Sequence, residues 1–99
     1  MAVNENRYRI ESIYQAGRIL KTVADSRCAL GPSEIAKNID ITTNTAFRMC
    51  VTLEELGFLK QVGDKYDLGM GLALFWARKK SGLEVEKSRI EAELESLEV

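Results

Sequence analysis

The chain has 99 residues, 45% of them hydrophobic and 29% charged, which excludes wholesale disorder and leaves room for one domain with a modest core. Its formal charge of −1 excludes a strongly basic protein held to nucleic acid by electrostatics alone. The balance is uneven, because residues 1–80 carry 12 Lys/Arg against 9 Asp/Glu while residues 81–99 carry 2 against 6.

Residues 1–9 are polar and read as a flexible N-terminus. Over residues 10–24, Ile10, Ile13, Ala16, Gly17, Leu20, Val23 and Ala24 recur at the spacing of one helical face. Tyr14 and Ile19 fall off that face and form additional apolar surface. Asp25-Ser26-Arg27 ends the helix, and Gly31-Pro32 introduces a short second one, over residues 33–38, with Ile35, Ala36 and Ile39 turned inward. Asp40-Ile41-Thr42 makes a turn. Thr42 or Thr43 then caps a third helix, which reaches about residue 56 and is closed by Gly57. At about 100° per residue, Ala46, Met49, Cys50, Leu53 and Leu56 share one side, with Asn44, Phe47, Arg48, Val51 and Glu55 opposite. Phe47 and Val51 on an outward face mark a surface that meets something.

Residues 58–62 and 65–68 alternate as strands around Gly63-Asp64, a hairpin signal, with Leu59 and Gln61 on the face opposite Phe58, Lys60 and Val62. Gly69-Met70-Gly71 breaks the second strand. A fourth helix over residues 72–80 is dense in Leu72, Leu74, Phe75, Trp76 and Ala77, and Ser81-Gly82 interrupts it. A last helix, residues 83–97, places Leu83, Ile90, Leu94 and Leu97 at heptad-like spacing, with Lys87 at one seam position and mostly Glu elsewhere.

Helix, helix, turn, helix, hairpin is the order of a winged helix-turn-helix. The expected fold is mainly α with a small β-hairpin, a winged domain over residues 10–80 and an acidic dimerisation or packing helix over residues 81–99. The first residues of a recognition helix contact base edges, and its partly positive N-terminus favours phosphate. Thr42, Thr43, Asn44, Thr45, Phe47 and Arg48 are therefore the candidate readers: Asn44 suits adenine, Arg48 suits guanine or phosphate, and Phe47 suits a thymine methyl group. Ser33, Lys60 and Lys65 are candidate backbone contacts, although the two lysines equally fit an ordinary solvated hairpin. Tyr14, Ile19, Phe75, Trp76, Leu83, Ile90, Leu94 and Leu97 are the candidate dimer interface, and packing of the last helix on its own domain is the alternative.

Ser33-Glu34-Ile35-Ala36, Thr45 with Arg48, Thr52-Leu53-Glu54-Glu55-Leu56-Gly57-Phe58-Leu59 and Tyr66-Asp67-Leu68-Gly69 resemble the N-terminal DNA-binding domain of IclR-type transcriptional regulators over about residues 10–80. The resemblance implies that Thr43, Asn44, Thr45 and Arg48 lie on a DNA-reading helix. Phe47 departs from it, since the family often has histidine there. The family's C-terminal ligand-sensing domain has no counterpart in these 99 residues, so ligand binding does not carry over and no cofactor is expected.

The remaining residues narrow the class further. Without histidine, and with Cys28 and Cys50 far apart, neither a zinc site nor a disulfide framework is expected; Cys50 reads as a small core residue. No nucleophile has a base beside it, so an enzyme is the poorest reading. The N-terminus lacks a signal-peptide core, and the most apolar run, residues 68–77, falls far short of the roughly 20 residues of a membrane span. The expectation is a cytoplasmic, prokaryotic-type transcriptional regulator, nucleoid-associated when bound, that reads double-stranded DNA as a homodimer. The rival class is a winged-helix protein-interaction module, or an antagonist or partner of another regulator.

Overall fold

Residues 7–98 are described by a computed structural model; the flexibility expected of the N-terminus falls, up to residue 6, outside them. The elements in chain order are α1 (Glu11–Asp25), α2 (Pro32–Ile39), α3 (Thr43–Glu55), β1 (Leu59–Val62), β2 (Lys65–Leu68) and α4 (Gly71–Glu98). This is the winged helix-turn-helix order, with a long helix following the wing.

Apolar residues at helical spacing bring the first three helices together. Ile19 and Val23 of α1, Ile35, Ala36 and Ile39 of α2, and Ala46, Cys50 and Leu53 of α3 are buried in one core, closed from below by Leu59 and Tyr66 of the two strands. The inner face of α1 is thus rotated from the one expected. Ile19, expected off that face and in a dimer surface, is 0% exposed and packs within its own domain. Ile10 and Ile13 lie instead on the surface. Leu56, expected inside, is also exposed, because α3 ends there and the chain turns away.

The turn between α2 and α3 is set by local chemistry. Pro32 opens α2 at a position where its missing N–H costs nothing, and the Glu34 carboxylate accepts the Gly31 N–H at 2.8 Å. Asp40 ends the helix in the left-handed region, φ 60°, a conformation that Asp tolerates better than most residues. The Ile41 N–H then reaches back to the Ala36 carbonyl at 3.1 Å. At its far end α3 closes with the paired bonds of a Schellman motif: the Gly57 N–H donates to Glu54 and the Phe58 N–H to Leu53, both at 2.9 Å, with Gly57 at φ 84°.

The wing is a two-stranded antiparallel hairpin in the register Leu59↔Leu68 through Val62↔Lys65. Gly63, at φ 66°, supplies the positive angle that its two-residue loop requires. A pairing not anticipated from the sequence ties the wing to the helices: Leu30, just before α2, exchanges both backbone hydrogen bonds with Tyr66, at 2.9 and 2.8 Å. This bridge holds Tyr66 in the core, where only strand membership had been expected.

Ser81-Gly82 does not interrupt the last segment. One helix of 28 residues runs from Gly71 to Glu98, about 42 Å at 1.5 Å per residue. Gly82 costs roughly 1 kcal/mol relative to Ala, a small penalty within a run of Ala, Leu, Lys and Glu. The start of α4 is docked through backbone: the Gly71 N–H donates to the Gly57 carbonyl and the Gly69 N–H to that of Phe58, both at 2.9 Å. The Phe75 ring meets Phe58 edge-on, with centroids 5.5 Å apart. Beyond this dock the side chains of α4 are exposed as far as Leu97. The Cα radius of gyration is 19.4 Å, against about 13 Å for a compact domain of this length, so the molecule is a compact head with a protruding rod.

Candidate nucleic-acid interface

The third helix has one face committed to the core and one free. Ala46, Cys50 and Leu53 hold it down, while Thr43, Asn44, Phe47, Arg48 and Val51 are exposed. Phe47 is 49% exposed and Val51 42%, so two apolar side chains stand in water beside Asn44 and Arg48. Arg48 forms no ion pair among the described residues.

The candidate threonines divide by role. Thr42 is the N-cap: its hydroxyl oxygen accepts the Thr45 N–H at 3.2 Å and its hydroxyl donates to the Thr45 hydroxyl at 2.8 Å. Thr45 is half-buried on the flank of the helix, so capping engages Thr42 and Thr45 together. Thr52, one turn beyond Arg48, is similarly engaged, donating to the Arg48 carbonyl at 2.9 Å. Thr43 and Asn44 remain at the open end of the helix, where no acidic side chain lies in the first turn to oppose a phosphate.

Outside α3 the candidates are less alike. Ser33 is exposed in the first turn of α2. Lys37, one turn further along the same exposed side, was not singled out from the sequence, since a lone lysine on a short helix has no distinguishing pattern. Lys65 is drawn back toward α2, its Nζ 3.8 Å from the same Glu34 carboxylate that holds the Gly31 N–H. Lys60 is exposed and lies opposite Asp67 in the strand register, while Asp64 occupies the wing tip. The wing therefore presents little net positive charge. Tyr14, Phe75, Trp76, Leu83, Ile90, Leu94 and Leu97, unlike Ile19, are exposed. Tyr14 lies under the Arg9 guanidinium, 3.9 Å from the ring centroid.

Residues 12–63, more than half of the chain, match the IclR helix-turn-helix domain. The chain belongs to that family. The chain is also similar in fold to solved regulators. An IclR transcriptional regulator from Alicyclobacillus acidocaldarius is 28% identical with a TM-score of 0.67, over 73% of this chain and 30% of that one. An IclR family transcriptional regulator from Brucella abortus is 28% identical with a TM-score of 0.65, over 75% of this chain and 30% of that one. The chain thus spans about 30% of the length of each of these regulators. No curated protein sequence matches it. Among the described residues, no helix is long and apolar enough to cross a membrane and no group of three His, Cys, Asp or Glu is placed to hold a metal.

Proposed function

We propose that this IclR-type domain binds duplex DNA in a sequence-specific manner, as a homodimer, and regulates transcription. The observation that carries the reading is the free face at the start of α3, where Thr43, Asn44, Phe47 and Arg48 stand exposed while the opposite face is buried. In a major groove that face meets base edges: Asn44 pairs bidentately with adenine, Arg48 with guanine, and Phe47 packs on a thymine methyl group. Ser33 and Lys37 on α2, with Lys60 on the wing, are assigned to flanking phosphates.

The weak positive charge of the head shifts the burden of affinity. With few phosphate contacts, binding depends on base readout and on two heads acting together. Pairing through α1 and α4, with Tyr14, Phe75, Trp76, Leu83, Ile90, Leu94 and Leu97 exposed for it, gives a two-fold axis. The operator is then a near-palindrome with half-sites about one helical turn, or a multiple of it, apart. Arg48→Ala is expected to lose on the order of 1–3 kcal/mol of specific binding and to relax preference at one base pair per half-site. A mobility shift at fixed salt measures both. Unchanged affinity and preference would contradict the assignment, and no DNA affinity even at low salt would move the exposed Phe47 and Val51 to a protein partner.

A further inference from the structure

Asn44, Phe47, Arg48 and Val51 are all exposed and form one stripe along α3, each three or four residues from the next. The stripe alternates in character, polar Asn44 and Arg48 being interleaved with apolar Phe47 and Val51. Neither apolar member belongs to the core or to the residues packed on it. Val51 is β-branched and stiff, so its methyl groups hold a fixed place on the helix surface. Four residues separate Phe47 from Val51, or about 6 Å along the helix axis. That distance is close to two base-pair steps of about 3.4 Å each.

We infer that Phe47 and Val51 together read the 5-methyl groups of pyrimidines in the major groove, so that 5-methylcytosine is accepted where thymine is and unmodified cytosine is not. The inference rests on the DNA-binding reading and adds Val51 and cytosine methylation to it. Base edges offer every member of the stripe a partner: hydrogen-bonding groups suit Asn44 and Arg48, and the thymine C5 methyl suits an apolar side chain. A protein groove that buried Phe47 and Val51 would also enclose the Arg48 guanidinium, at a cost that the N7 and O6 acceptors of guanine offset in DNA. The low positive charge of the chain acts in the same sense, because methyl contacts add affinity without further phosphate contacts. Cytosine carries only hydrogen at C5. Once methylated it presents the same group as thymine at the same edge, and an apolar reader treats the two alike.

Base analogues isolate the methyl group, since uracil differs from thymine only in lacking it. The probe is the duplex that the full wild-type chain selects from a random pool, remade with uracil at one thymine at a time and titrated at fixed salt. At two positions per half-site, one or two base steps apart, uracil should weaken binding about three- to fivefold, the worth of roughly one buried methyl group. Opposite guanine at those positions, 5-methylcytosine should bind tighter than cytosine by a similar factor. Phe47→Ala should abolish the methyl effect at one position and Val51→Ala at the other, and circular dichroism checks that both variants keep the fold. A selected site at which thymine and uracil bind equally everywhere would overturn the methyl contacts and leave DNA reading standing. Methyl effects that persist unchanged in both variants would overturn the assignment to these two residues. A pool without any shared sequence would overturn the methyl contacts together with the reading on which they rest.

Discussion

Thr42 decides where the third helix begins, and with it which side chains stand at the open end. Its hydroxyl satisfies the Thr45 N–H and also engages the Thr45 side chain. Thr42→Ala is expected to cost about 1 kcal/mol, within the usual range for a lost N-cap, with a lower urea midpoint as the readout. Cys50 responds to pH in a defined direction. Burial pushes its thiol from 9.0 up to about 11, so the unfolded chain releases that proton first. The stability held by the neutral thiol is complete below pH 9.0 and disappears as the pH rises through about 11. Burial also raises the Tyr66 hydroxyl, with smaller contributions from Cys50 and Glu54, and acts in the same sense. Urea midpoints should therefore fall over that alkaline range, and Cys50→Ala should flatten part of the fall. At neutral pH a thiol reagent should modify exposed Cys28 and spare Cys50 until the chain unfolds; rapid reaction of both would contradict the buried position.

Among the elements, the junction of α3, the wing and α4 is the least forgiving. A Cβ on Gly71 would lie 2.7 Å from the Gly57 carbonyl oxygen, and one on Gly69 would lie closer still to the same oxygen. Gly71→Ala is expected to destabilise the domain by about 1–3 kcal/mol, because backbone rather than a movable side chain must give way. Equal urea midpoints for the variant and wild type would show that the junction is looser than described. This region also shows what a linear sequence reveals. The Leu-Gly-Phe ending of α3 announced its glycine cap, since that motif is local. The Leu30–Tyr66 bridge was invisible because it joins residues that no periodicity connects. Helical phase separated Ala46, Cys50 and Leu53 from Asn44, Phe47 and Arg48 correctly, as α3 has one core and one free face. In α1 it failed, because Ile10 and Ile13 on the outer surface are as apolar as Ile19 and Val23 inside. Hydrophobic pattern counts apolar faces without saying what covers each.

At the scale of the molecule, a small head carries a rod about as long as its residue count allows. By sequence Gly82 divides that rod, but its flanking residues favour helix strongly enough to override one glycine. The candidate reading residues were legible in advance because polar side chains at a helix start are a local pattern. Their division into caps and free groups required coordinates, and the lysines of the wing proved to have carboxylate neighbours that spacing alone did not reveal. The central claim is that the free face of α3 reads duplex sequence. Selection of bound duplexes from a random pool tests it most directly, with wild-type protein and Arg48→Ala compared at one salt concentration. The account predicts enrichment of a two-fold symmetric site with half-sites about one turn apart, and loss of preference at one position per half-site in the variant. A pool that emerges from wild-type selection without any shared sequence would contradict it.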